Sequence, residues 1–104
     1  MDGIIDIDND IAKQLGFTSD KFHNLSYLWK DGNTIIISAI ASLQKGAFRA
    51  LIETIVENGY DFEIPVPSKR MREIGRKQGW RYGNRYSEEV GEEYTFLTNK
   101  ERIE

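Results

Sequence analysis

Residues 34–41 are β-branched or apolar on both alternating faces, from Thr34 through Ile35, Ile36 and Ile37 to Ile40, the pattern of a strand covered from above and below. After polar positions at Ser42 and Gln44, residues 46–57 carry Phe48, Leu51, Ile52, Ile55 and Val56 on one helical stripe, with Arg49, Glu53 and Glu57 on the opposite side. Asn58-Gly59 supplies a left-handed stop. The spacing predicts a central strand that runs through a short glycine-containing loop into an amphipathic helix. Backbone N–H groups at such a helix start have no intrahelical acceptor and favour a phosphate or carboxylate. Residues 44–49 are therefore the first place to look for a site.

Before this unit, Asp8 or Asp10 is expected to cap a short helix over residues 11–15 that Gly16 ends, and residues 19–22 are expected to begin another turn. Asp6, Asp8 and Asp10 alternate like the oxygens of a calcium loop, but Ile11 and Phe17 stand where that loop requires glycine and glutamate. His23 has no ligand-type partner at a useful spacing and reads as a loop residue. Residues 25–30 and the strand from Thr34 flank Asp31-Gly32-Asn33, which predicts an antiparallel hairpin.

After the organising helix, residues 60–67 alternate large apolar positions with polar ones or proline, as a half-buried strand whose ladder ends or splays around Pro65. Ser68 is expected to cap a helix over 69–78, with Met71 and Ile74 inward and Gly79 closing it. Residues 80–82 and 85–86, broken at Gly83-Asn84, and residues 94–98 form a last antiparallel pair, leaving 99–104 as a frayed tail. Helices between strands, with antiparallel hairpins at both ends, predict an α+β fold. Its sheet is mixed and mostly antiparallel, with a central parallel strand pair and helices packed on it.

With 104 residues, 39% hydrophobic and 30% charged, the chain is expected to form one domain around a modest core. The absence of cysteine excludes disulfides and thiolate metal sites and fits a reducing compartment. No apolar run is long enough for a membrane span, and the acidic start at Asp2 and Asp6 lacks the basic head of a signal peptide, so a cytoplasmic protein without membrane contact is expected. The net charge of -3 is unevenly spread. Lys69, Arg70, Arg72, Arg76, Lys77, Arg81 and Arg85 crowd one segment, and Glu88, Glu89, Glu92 and Glu93 follow it. That basic segment reads either as a solvated face balanced by the neighbouring acids or as a surface for an anionic partner, nucleic acid included. The acidic total and the missing second helix of a helix-turn-helix argue against nucleic acid.

Residues 36–80 resemble the acyl-CoA-binding half of the GNAT superfamily of N-acyltransferases. In that family a core strand leads into Arg/Gln-x-x-Gly-x-Gly/Ala and a helix bearing a Leu pair. A second parallel strand follows, and then a helix that starts near an Asn, carries a Tyr and ends in Gly-Phe. Here Leu51-Ile52 matches the Leu pair, Gly46 falls on the first motif glycine, Ser68 sits where the Asn is usual, and Gly79-Trp80 stands for Gly-Phe. Leu43 occupies the leading Arg/Gln position with Gln44 beside it, Phe48 replaces the second small residue, and Gly75 falls where the family commonly has its general-acid tyrosine. The chain is similar to a short, divergent member, with residues 1–33 as an abbreviated N-terminal part, 34–80 as the acyl-CoA core and 80–98 as a closing hairpin.

The resemblance implies acetyl-CoA or another acyl-CoA as substrate and an amine as acceptor. The pyrophosphate would meet the amides of Gln44, Lys45, Gly46, Ala47, Phe48 and Arg49, with charge from Lys45 and Arg49, and Ser68 would lie at the next helix start. The amides of Ser38, Ala39 and Ile40 would reach the thioester carbonyl. With Gly75 unable to donate a proton, Tyr82 and Tyr86 are the remaining candidates for the acid. The alternative is a catalytically inactive GNAT-like domain, similar to compact domains of bacteriophage proteins, that binds a protein partner or a second copy of itself.

Overall fold

The computed structural model describes residues 3–88 and 91–99. The elements run β1 (Gly3–Asp6), α1 (Asp10–Leu15), β2 (Tyr27–Asp31), β3 (Thr34–Ala39), α2 (Ala47–Glu57), β4 (Asp61–Pro65), α3 (Lys69–Gln78), β5 (Arg81–Ser87) and β6 (Glu92–Thr98). The fold is α+β, and the strands follow the order β1-β2-β3-β4-β6-β5 in a six-stranded mixed sheet with one parallel pair, β3 and β4. Contacts gather into two compact units, Met1–Phe62 and Glu63–Glu104, with β4 beginning in the first and ending in the second.

In the first unit β2 and β3 form the expected hairpin, with Asp31 opposite Thr34 across the two-residue loop Gly32-Asn33. Leu25 is outside it and exposed. The sequence pattern does not reveal β1, which pairs antiparallel with β2 from Gly3↔Lys30 to Asp6↔Tyr27 and buries Ile5 while leaving Ile4 outward. The parallel pair starts where the Asp61 N–H donates to the Asn33 carbonyl at 2.9 Å, while the Asn33 side chain donates to the Gly59 carbonyl at 2.8 Å. The core of this unit is Ile5, Ala12, Leu15, Phe17, Phe22, Leu28, Ile35, Ile37, Ala47, Leu51, Ile52, Ile55 and Phe62. Phe17 and Phe22 stack at a tilt with ring centroids 5.4 Å apart.

Two expectations for the helices of this unit need correction. The cap of α1 is Asn9, whose Oδ1 accepts from the Ala12 N–H at 2.7 Å, and neither Asp8 nor Asp10 serves. Asp8 instead bends the chain at φ 67° and accepts the Ser19 N–H at 2.9 Å. On α2 the inward stripe is Ala47, Leu51, Ile52 and Ile55, because Val56 lies past the buried arc and is exposed while Phe48 is half-buried. His23 does lie in a loop, where its Nδ1 accepts the Leu25 N–H at 3.1 Å.

In the second unit β6 lies between β4 and β5 and pairs antiparallel with both. As expected, β4 and its ladder with β6 end at Pro65, opposite Phe96, and the Val66 N–H just past it donates to the Thr95 carbonyl at 2.8 Å, so the two strands do not splay there. Nor is β5 broken at Gly83-Asn84: its register holds from Arg81↔Thr98 to Ser87↔Glu92, with Phe96 and Thr95 facing the two residues. Ser68 caps α3 as expected, its Oγ accepting the Met71 N–H at 3.2 Å, and Gly79 ends the helix. Met71 and Ile74 are half-buried, and the most enclosed residue of α3 is Gly75. The expected tail falls at Asn99, which is irregular, and at residues 100–104, which lie outside the described residues, as does Glu89 of the acidic cluster. Among the described residues no helix is long and apolar enough to cross a membrane.

Candidate functional site

The connection from β3 to α2 is held in place by the segment that precedes β2. The Ala41 carbonyl accepts the His23 N–H at 2.8 Å, and the Ala41 N–H donates to Ser26 Oγ at 2.9 Å. Two residues on, the Leu43 N–H donates to the Lys21 carbonyl at 2.7 Å, and Ser42 bridges to Phe22, whose ring is fully buried. The Gln44 side chain donates to the Asp20 carbonyl at 3.0 Å. A loop tied at four successive positions presents its next backbone groups in one arrangement and loses little entropy if a ligand binds them.

Those next groups are the start of α2. Gly46 is the N-cap and sits in the left-handed region at φ 84°, where a side chain would be strained even though its β-carbon would meet nothing within 4 Å. Being glycine, it offers no capping oxygen, and no side chain caps this helix. The Ala47 N–H turns back onto the Gln44 carbonyl at 3.2 Å, and the first helical bond runs from the Ala50 N–H to the Gly46 carbonyl at 3.0 Å. Among the described residues the amides of Gln44, Lys45, Gly46, Phe48 and Arg49 have no acceptor. Ala47 itself is core, so of the six amides named from the sequence its own is spent within the chain.

The charge around this turn is positive. No acid occupies the first turn of α2, and Lys45 and Arg49 are exposed beside it. Arg49 reaches Glu53 at 3.6 Å with both side chains in solvent, a pair that contributes a few tenths of about 1 kcal/mol and leaves the guanidinium available. An uncapped helix start flanked by two cations is suited to an anion of phosphate type, through the partial positive charge of aligned peptide dipoles. Phe48 stays half-buried at the edge of the same turn. Ser38, exposed, and Ala39 and Ile40, half-buried, form the end of β3 leading to the loop, with Ala39 paired to Tyr27.

The remaining candidates belong to the second unit. Ser68 Oγ is used as the cap of α3. Gly75 is filled from two sides: a β-carbon there would lie 2.8 Å from Leu97 Cδ2 and 3.1 Å from Trp80 Cε3, so the position is set by packing. Tyr82 and Tyr86 are exposed on β5, where they pair with Leu97 and Glu93.

Sequence reasoning missed the ion pair between Arg85 and Glu63. Glu63 is 1% exposed, and Arg85 donates from Nε to its Oε1 and from Nη2 to its Oε2, both at 2.7 Å, across the intervening β6. The same guanidinium lies 5.3 Å from the Phe96 ring centroid. Two parallel bonds of this length are the strong, geometrically specific form of carboxylate recognition. Alternation in residues 60–67 marks Glu63 as outward; the only contrary signal is an arginine 22 positions away, which no local pattern reveals. Among the described residues no group of three acidic or histidine side chains gathers to hold a metal ion.

No protein-family model, no curated protein and no solved structure matches this chain.

Proposed function

We propose that this chain is a GNAT-like N-acyltransferase that binds acyl-CoA at the start of α2 and transfers the acyl group to an amine. The observation that carries the proposal is the uncapped, cation-flanked N-terminus of α2, held by a loop tied down from Asp20 to Ser26. The order of β3, α2, β4 and α3, with β3 and β4 parallel, agrees with the order of elements in the resemblance. The amides of Gly46, Phe48 and Arg49 would bind the pyrophosphate, with Lys45 and Arg49 balancing its charge.

The chemistry is one displacement. The neutral amine nitrogen attacks the thioester carbonyl carbon, and the carbonyl oxygen carries the negative charge of the tetrahedral intermediate, stabilised by backbone amides at Ser38 to Ile40. The carbon–sulfur bond then breaks, the amide forms, the amine proton passes to water or a carboxylate, and the CoA thiolate takes a proton from an acid. Gly75 has no proton to give, and this reading assigns the acid to no residue. A cytoplasmic location goes with this reading, since a chain without cysteine is suited to a reducing compartment.

The enclosure of Gly75 by Leu97 and Trp80 favours a second reading, a catalytically inactive domain of this type that binds a protein partner or a second copy of itself and is indifferent to CoA. Thiol release from acetyl-CoA in the presence of a panel of amines separates the two. Turnover that Gly46→Asp abolishes is expected for the transferase, whereas the absence both of turnover and of heat on titration with acetyl-CoA leaves the inactive domain.

A further inference from the structure

We infer that the exposed face of α3, together with Tyr82, is a docking surface for single-stranded nucleic acid. Five cations, Lys69, Arg70, Arg72, Arg76 and Lys77, lie on this helix, all exposed and none in an ion pair among the described residues. At 100° per residue they span an arc of roughly 160°, opposite Met71, Ile74 and Gly75. The only acid within that arc is Glu73.

Among the described residues, the acids Glu92 and Glu93 that follow in sequence do not neutralise this surface near Tyr82. Glu93 faces Tyr86 and Glu92 faces Ser87, at the far end of the hairpin. Tyr86 lies four residue steps along the strand from Tyr82, about 14 Å, which exceeds the screening length of about 8 Å at physiological salt. Tyr82 pairs with Leu97, the residue that abuts Gly75 of α3, and paired residues point to one face of a ladder. The ring, 50% exposed, therefore stands on the side of the sheet that carries the cationic helix.

A cationic helix face and an exposed aromatic ring on the same side of the sheet match a strand of phosphates whose bases are free to stack. A membrane surface fits less well, because Met71 and Ile74, the large apolar residues of α3, are half-buried and lie on the side of the helix away from the cations. An acidic protein would use the cations but not the ring.

Fluorescence anisotropy of a labelled oligothymidylate against the full chain tests this. Binding should weaken roughly 50-fold between 50 and 200 mM salt if about four phosphates are neutralised. Arg72→Gln with Arg76→Gln should flatten that salt dependence, and Tyr82→Ala should weaken binding about tenfold while leaving the dependence unchanged. Unaltered thermal unfolding of each variant establishes that the fold is intact; Lys77→Gln serves in place of a charge variant that fails to fold. The proposal is overturned if the oligonucleotide does not bind at low salt, if a duplex of equal length binds as tightly, or if polyglutamate competes as well as the oligonucleotide.

Discussion

Gly75 of α3 and Leu97 of β6 approach so closely that a β-carbon on the glycine would lie 2.8 Å from Leu97 Cδ2 and 3.1 Å from Cδ1. The helix can rest at this distance from the sheet only because the side chain is absent. Gly75→Ala adds helix propensity worth about 1 kcal/mol but overpacks a fully buried leucine. The net expectation is a loss of roughly 1–2 kcal/mol in chemical denaturation. In a Leu97→Ala background, where only the approach to Trp80 Cε3 at 3.1 Å remains, the same change should cost clearly less. Equal losses in both backgrounds would mean that the close approach is not what holds glycine there.

Removal of the Arg85 guanidinium leaves the Glu63 carboxylate buried without its bidentate donor. Arg85→Met should cost roughly 3 kcal/mol, below the upper range for buried pairs because the arginine side chain is 39% exposed. Arg85→Lys should recover less than half of that, since a point charge cannot form two parallel bonds. Urea unfolding of the variants measures both values, and full recovery by lysine would show that charge alone matters.

Asp8 sets a pH dependence at the other end of the chain. Hydrogen bonds from the Ser19 side chain and backbone, with a smaller contribution from the Lys13 charge, hold its carboxyl below the ordinary value of 3.8. A carboxyl with a depressed folded-state pKa contributes stability that is present above its unfolded value and lost as pH falls through the folded one. The stability difference between the native chain and Asp8→Asn should therefore be steady near neutrality and shrink below about pH 4. Denaturant midpoints across that range check the trend; a difference that grows on acidification would contradict it.

What can be read from the sequence and what cannot divides by how local the cause is. The β2–β3 hairpin, the α2 stripe at Leu51, Ile52 and Ile55, and the Ser68 cap follow from patterns within one turn or one element. β1 escapes such a pattern because Ile4-Ile5 between acids is too short to register until β2 supplies a partner. The continuity of β5 through Gly83-Asn84 comes from the neighbouring strand, since Phe96 and Thr95 hold two residues that alone would favour a turn. The choice of Asn9 over Asp8 as cap depends on Asp8 being drawn to Ser19, eleven residues away. At the candidate site the glycine cap and the cations are legible in residues 44–49, while the ties from Asp20, Lys21, His23 and Ser26 that hold the loop are not.

Gly46 gives a direct handle on that site. Its φ of 84° costs a side chain about 1 kcal/mol, with no steric contact to add to it. Gly46→Ala should accordingly lower stability by about that amount and leave the amides in place, whereas Gly46→Asp adds an anion that competes for them. Thermal unfolding and ligand titration of the pair separate backbone strain from electrostatic exclusion.

The central claim is that the amides opening α2 bind the pyrophosphate of an acyl-CoA, and titration of the nitrogen-15-labelled chain with acetyl-CoA tests it most directly. The account predicts saturable amide shifts concentrated at Gly46, Phe48 and Arg49, absent in Gly46→Asp. No shift at these residues at millimolar acetyl-CoA, or the same shifts in Gly46→Asp, would contradict it.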